Sequence, residues 1–254
     1  MSDALRFEWV RIRTLRSTYW LIASALLLNL VGAVAVALTT PPLNHEIVGA
    51  ALTGGGADLP VPFAAVFLAT MGILATGHEY RYGTIQPTLT TVPRRSALFA
   101  AKLTVLAATA LAVAVVSLLA DIVAVLAVWG EVPALTGPPF DEALPGYLVL
   151  VVLWTVLGAA LAQLFRSVPA ALTVLLVVPL IVEQLIFSLS YVPALNWLAP
   201  VVKFLPFAAG QRLIHVGGTD YSEFFDRWVS GGVLTVFVAI VLAVAWTLFT
   251  RRDA

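Results

Sequence analysis

The sequence predicts an all-α integral membrane fold with six transmembrane helices and both termini cytoplasmic. An interfacial helix precedes the first span, and a re-entrant helical hairpin lies on the outer side before the last. Three observations carry this. Hydrophobic residues make up 61% of the chain and charged residues 11%, whereas a soluble domain carries about 25% charged residues; mean hydropathy is +0.99. Six apolar runs each approach the ~20 residues that cross a bilayer as a helix. Lysine and arginine gather in alternate connections between those runs. Residues 1–254 therefore read as one transmembrane domain.

Residues 3–17 come first and carry Arg6, Arg11, Arg13 and Arg16. At helical spacing Leu5, Trp9, Ile12 and Leu15 share one side, with Arg6 and Arg13 roughly opposite. Glu8 and Arg16 intrude on the apolar side. An interfacial helix on the cytoplasmic surface fits, with Trp9, Tyr19 and Trp20 at headgroup depth; the competing reading is a plain basic flank. The apolar runs follow at 19–38, 61–79, 98–128, 146–165, 169–190 and 229–250. The first exceeds the 7–15 residues of a signal-peptide core and has a long flank, so it reads as a retained span. The third is overlong and must tilt or project beyond the lipid. Pro179 should kink the fifth near mid-membrane, whereas Pro169 sits at a helix start, where proline is harmless.

With the N-terminus inside, the cytoplasmic basic set is Arg6, Arg11, Arg13, Arg16, Arg81, Arg94, Arg95, Lys102, Arg166, Arg251 and Arg252. Lys203, Arg212 and Arg227 fall outside, while the first two outer loops contain Glu46, Asp58, Glu131, Asp141 and Glu142 and no lysine or arginine. Residues 191–228 are apolar but interrupted by Pro193, Pro200 and Pro206, too broken to span, and fit the outer hairpin. A seventh span there would move Arg251 and Arg252 outside and spoil the charge asymmetry.

The chain has no cysteine, which excludes disulfides and thiol chemistry. It contains no phosphate-cradling G-x-x-x-x-G-K-[ST] loop, no G-x-S-x-G and no H-E-x-x-H. Gly54-Gly55-Gly56 precedes no lysine and reads as a turn; Ser230-Gly231-Gly232 reads as close helix packing. His78 and Glu79 are adjacent, point apart on a helix, and read as interfacial anchors rather than a metal pair. Within the spans, Asp121 and Glu183 cost roughly 2.5–3.5 kcal/mol each on insertion scales and must face protein or water. Asn29, Asp121 and Glu183 are the candidate translocation path. Two readings stand for the carboxyls: a polar path or proton site, and a hydrogen bond to a neighbouring helix. For Asn29 and Gln184, interhelical hydrogen bonds are the simpler role.

The remaining feature is the polar, basic segment from Glu79 to Lys102, longer than a connection between neighbouring helices needs. Gly83 and Pro87 punctuate a turn before a short helix and Pro93 can end it. The order Glu79, Gly83-Thr84, Leu89, Pro93-Arg94-Arg95 and Lys102 resembles the loop after the second span in type-2 ABC exporter permeases. Phe7-Glu8-Trp9, through Arg11 and Arg13 to Thr18-Tyr19-Trp20, is similar to the start of that family, especially its actinobacterial members. The residue-level likeness covers these two stretches; the architecture covers the whole chain. Tyr80 and Tyr82 around Arg81, and two arginines after Pro93, depart from the family pattern.

The resemblance implies a membrane subunit of the plasma membrane of a bacterium, paired with a second permease copy as a homodimer or heterodimer. Two separate ABC ATPase subunits would carry the ATP and Mg; this chain would need no cofactor, no nucleic acid and no catalytic residue of its own. The coupling set implied is Glu79, Arg81, Gly83, Thr84, Leu89, Pro93, Arg94 and Arg95 in the loop 80–97, with Trp9, Arg11 and Arg13 on the interfacial helix. Closure of the ATPase pair would push on that loop and switch the cavity outward. An amphipathic cargo (drug, lipid or peptide-like) fits an apolar lining. A proton-coupled secondary transporter using Asp121 or Glu183 is the alternative, although no repeated pair of broken helices marks matching halves.

Overall fold

The computed structural model describes residues 2–42, 44–53, 61–84, 86, 95–130, 135–217 and 224–251. Those residues contain helices and no strand. The amphipathic start forms α1 (Ser2–Thr14), and α2 (Arg16–Thr39) follows after a break at Leu15, whose extended backbone ends the first helix at Thr14 rather than at the residue 17 that 3–17 implies. Next come α3 (His45–Thr53), α4 (Phe63–Arg81), α5 (Arg95–Trp129) and α6 (Phe140–Phe165). Helix α7 (Val168–Ser190) is followed by two short pieces, α8 (Pro193–Val202) and α9 (Pro206–Gln211), and by α10 (Arg227–Arg251).

Among the described residues five helices, α2, α5, α6, α7 and α10, are long and apolar enough to cross a membrane. The expected run at 61–79 is also helical, as α4, but its last turn, His78-Glu79-Tyr80-Arg81, is polar and its apolar stretch correspondingly short. Helix α5 has 35 residues, about 52 Å at 1.5 Å per residue against a hydrocarbon core of about 30 Å. In α7, Pro179 removes a backbone donor and its ring crowds the preceding turn. The helix answers by widening to a π-helical turn over Val178–Glu183, one of the recognised sources of helix distortion.

Helix α6 is the centre of the bundle: 61% of its most apolar window is buried, against 22–28% for the other four long helices. Glycine lets α4 lie against it. A Cβ on Gly72 would meet the Thr155 carbonyl oxygen at 2.3 Å, and one on Gly158 would meet that of Ala69 at 2.2 Å. Such small-residue contacts bring helices together where lipid supplies no hydrophobic drive. Leu68, Met71, Ile73, Leu150, Trp154 and Leu157 fill the core around that contact. The outward faces of α2, α5 and α10 stay apolar and exposed, as at Leu27, Val31, Leu119, Val123, Val236 and Ile240. Nothing in the sequence marks α3: it packs Val48, Ala51 and Leu52 onto Val125, Phe140 and Val216 and so closes one end of the bundle.

Candidate functional site

The site grows from the polar last turn of α4. A carboxylate at a helix C-terminus meets the negative end of the helix dipole and requires cations beside it. Glu79 is 2% exposed, and two cations reach it. Arg11 of α1 donates from Nη1 to one carboxylate oxygen, and Lys102 of α5 donates from Nζ to the other. Arg11 also donates from Nη2 to the Ala75 carbonyl. Glu8, 1% exposed, completes the group 3.4 Å from Arg11 Nη1. Two carboxylates and two cations cancel, the condition for holding four charges under protein cover. Burial pushes the Glu8 carboxyl above its ordinary range, with Lys102 and then Arg11 opposing and Glu79 adding to the rise.

This quartet ties α1, the end of α4 and the start of α5 into one unit. It explains the intrusion of Glu8 on the apolar side of α1: that side faces the bundle, and Glu8 meets its counter-charges there. The spacing of Glu8 and Arg11, three residues apart on one helix face, was the available signal. Trp9 and Arg13 lie on the exposed side of α1, with the Arg13 guanidinium 5.9 Å from the Trp9 ring centroid.

Around the quartet, Gln163 of α6 donates to the Tyr80 hydroxyl, and the Arg166 guanidinium lies 5.3 Å from the Tyr80 ring. Arg81 lies 5.6 Å from the ring of Tyr82. Gly83 turns the chain at φ +66, where a side chain would strain the backbone, and Thr84 follows, exposed. Leu89, Pro93 and Arg94 lie outside the described residues. Arg95 opens α5 and donates from Nη1 to the Phe249 carbonyl of α10 at 3.4 Å. The described basic residues Arg11, Arg81, Arg95, Lys102, Arg166 and Arg251 thus share one end of the bundle.

The candidate path residues separate. Asn29 Nδ2 donates to Asp121 Oδ2 at 2.7 Å and lies 3.5 Å from the Tyr147 hydroxyl, linking α2, α5 and α6. Asp121 is 0% exposed, and its Oδ1 has no hydrogen-bond partner among the described residues. Glu183 stands elsewhere: it accepts from the backbone N–H groups of Phe207 at 3.2 Å and Ala208 at 2.6 Å. The π-helical turn delivers this carboxyl to the first turn of α9, and it anchors the segment after α7. At the same end, Arg227 donates to the Leu213 and Arg212 carbonyls at 2.8 and 3.3 Å and lies 3.4 Å from Glu142. Lys203 sits 4.9 Å from the Phe225 ring. No family model and no curated protein matches the chain, so its functional reading rests on this geometry and on the sequence motifs.

Proposed function

We propose that this chain is the membrane subunit of an ATP-driven exporter, worked by a separate ATPase that grips the segment 80–97 on the cytoplasmic side. The observation that carries the reading is the Glu8–Arg11–Glu79–Lys102 quartet. A force applied to the loop between α4 and α5 enters the bundle through a charge-locked joint, because the helices flanking that loop are pinned to each other and to α1. The segment's resemblance to the coupling loop of type-2 ABC exporters supports the same assignment. In this reading α4 is the sixth span, both termini are cytoplasmic, and α8 and α9 form the outer hairpin, re-entrant from the outer surface. A second copy of the chain, or a related subunit, completes the pathway, and the cargo is amphipathic.

The test is isolation from native membranes in mild detergent. The expected result is an ABC ATPase in stoichiometric association, with ATP hydrolysis by the complex. Changing Arg94 and Arg95 to glutamate should weaken the association, because charge at such a surface governs encounter and specificity. An association unchanged in high salt would overturn electrostatic docking on the loop. Vesicles of this polypeptide alone that pump solute without nucleotide would overturn the exporter reading altogether.

One observation favours a second reading. Asp121 is fully buried among α2, α5 and α6 with one oxygen unpartnered, the setting of an intramembrane proton carrier. Vesicles without nucleotide decide between them: a proton-coupled carrier transports on a pH gradient and loses this in Asp121→Asn, whereas an ATP-driven exporter does not transport on a pH gradient alone.

A further inference from the structure

We propose that the cleft between α5 and α10 is a binding site for one anionic phospholipid. Its acyl chain lies against Phe99, Leu103, Leu242 and Trp246, and its phosphate meets Arg95 and Arg251. The cleft is a groove of about 400 Å³ lined by Phe99, Leu103, Leu242, Ala243, Trp246 and Thr247. That volume falls within the roughly 300–1,000 Å³ of ligand clefts. Phe99 and Trp246 form its wall, edge to face, with centroids 5.5 Å apart.

Position and charge identify the guest. Arg95, Phe99 and Leu103 follow at four-residue spacing on one face of α5, and Ala243, Thr247 and Arg251 do the same on α10. Each stripe runs from the apolar groove to an arginine, and both arginines stand at the same end, since Arg95 donates to the Phe249 carbonyl near the end of α10. A guanidinium carries five N–H donors and serves several acceptors at once, in the fork geometry that matches phosphate. An acyl tail with a phosphate at one end reproduces this order of apolar and cationic groups. A second copy docked through this same face would bring its own Arg95 and Arg251 against these. The inference stands independently of what the chain transports and of which membrane face bears the arginines.

The test is tryptophan quenching in bilayers by lipids brominated on the acyl chain. The chain has seven tryptophans, so the Trp246 signal is the difference between wild type and Trp246→Phe. Brominated phosphatidylglycerol in a phosphatidylcholine bilayer should quench that signal at a mole fraction at least about tenfold lower than the reverse pair requires. Each arginine contributes roughly fivefold, so Arg95→Gln/Arg251→Gln should bring the two lipids together. Equal quenching by both lipids in wild type, or no quenching of the Trp246 component, overturns the proposal. So does displacement by millimolar glycerol phosphate, which would assign the arginines to a soluble phosphate. Native mass spectrometry of the wild-type protein from mixed micelles needs no variant: preferential retention of phosphatidylglycerol supports the site, and retention without preference refutes it.

Discussion

Glu79→Gln is the most informative perturbation, because it alters one charge and almost no volume. In wild type Glu79 answers both Arg11 and Lys102. The amide leaves two cations facing Glu8 alone, and Lys102, 2% exposed, loses the carboxylate it donates to. Removing one member of a buried pair costs about 3–5 kcal/mol. At the 2–4 °C per kcal/mol typical of chains of 150–250 residues, the melting midpoint should fall by roughly 6–20 °C. Glu79→Gln/Lys102→Met removes the pair together and should recover much of the loss, since a well-packed apolar replacement of a buried pair is often neutral. The assay is thermal unfolding in detergent for both single variants and the double variant, read as a cycle. A Glu79→Gln loss below about 1 kcal/mol, or single losses that simply add in the double variant, would refute a coupled charge network at this joint.

Other outcomes follow from the same geometry. Gly158→Ala should cost about 1–3 kcal/mol by forcing α4 from α6, while Gly232→Ala, with nothing within 4 Å of the added Cβ, should be neutral or slightly stabilising; thermal unfolding compares them. Asp121→Ala should cost about 1–3 kcal/mol by leaving the Asn29 amide without its acceptor, and Asp121→Asn less; the same midpoints measure both. Glu8 predicts a pH effect. Its folded pKa stands above the ordinary 4.5, so between the two values the folded state binds the extra proton and stability falls as pH rises. Wild type should therefore gain stability over Glu8→Gln as pH falls through the raised pKa, the gain levelling below 4.5; a pH-independent difference would show that Glu8 does not titrate across the range.

The membrane class was legible from composition alone, because 11% charged residues leave too little polar surface to face water. The long helices were legible because each apolar run is written in consecutive residues, and their ends fall where charges, proline or glycine interrupt the run. Pro179 announced a distortion, since a missing N–H is a local fact; that the helix relieves it as a π-helical turn depends on the neighbours of α7. Helix α3 was hidden, for its nine residues are too short to signal against an apolar background and hold together by packing on α5 and α6.

The site divides the same way. Glu79 and Lys102 could be singled out from the sequence as members of one motif, and Asn29 as a polar residue in a span. Only the tertiary structure decided their partners, because Arg11 and Glu79 are 68 residues apart and Asn29 and Asp121 are 92 apart. It also separated two carboxyls that looked alike in sequence: Glu183 meets backbone donors on α9, while Asp121 meets one side-chain amide and keeps an oxygen unpartnered. Hydropathy and charge order act along the chain and are readable there. Charge pairing and the fate of a buried polar group act across space, and they exist only once the helices have packed.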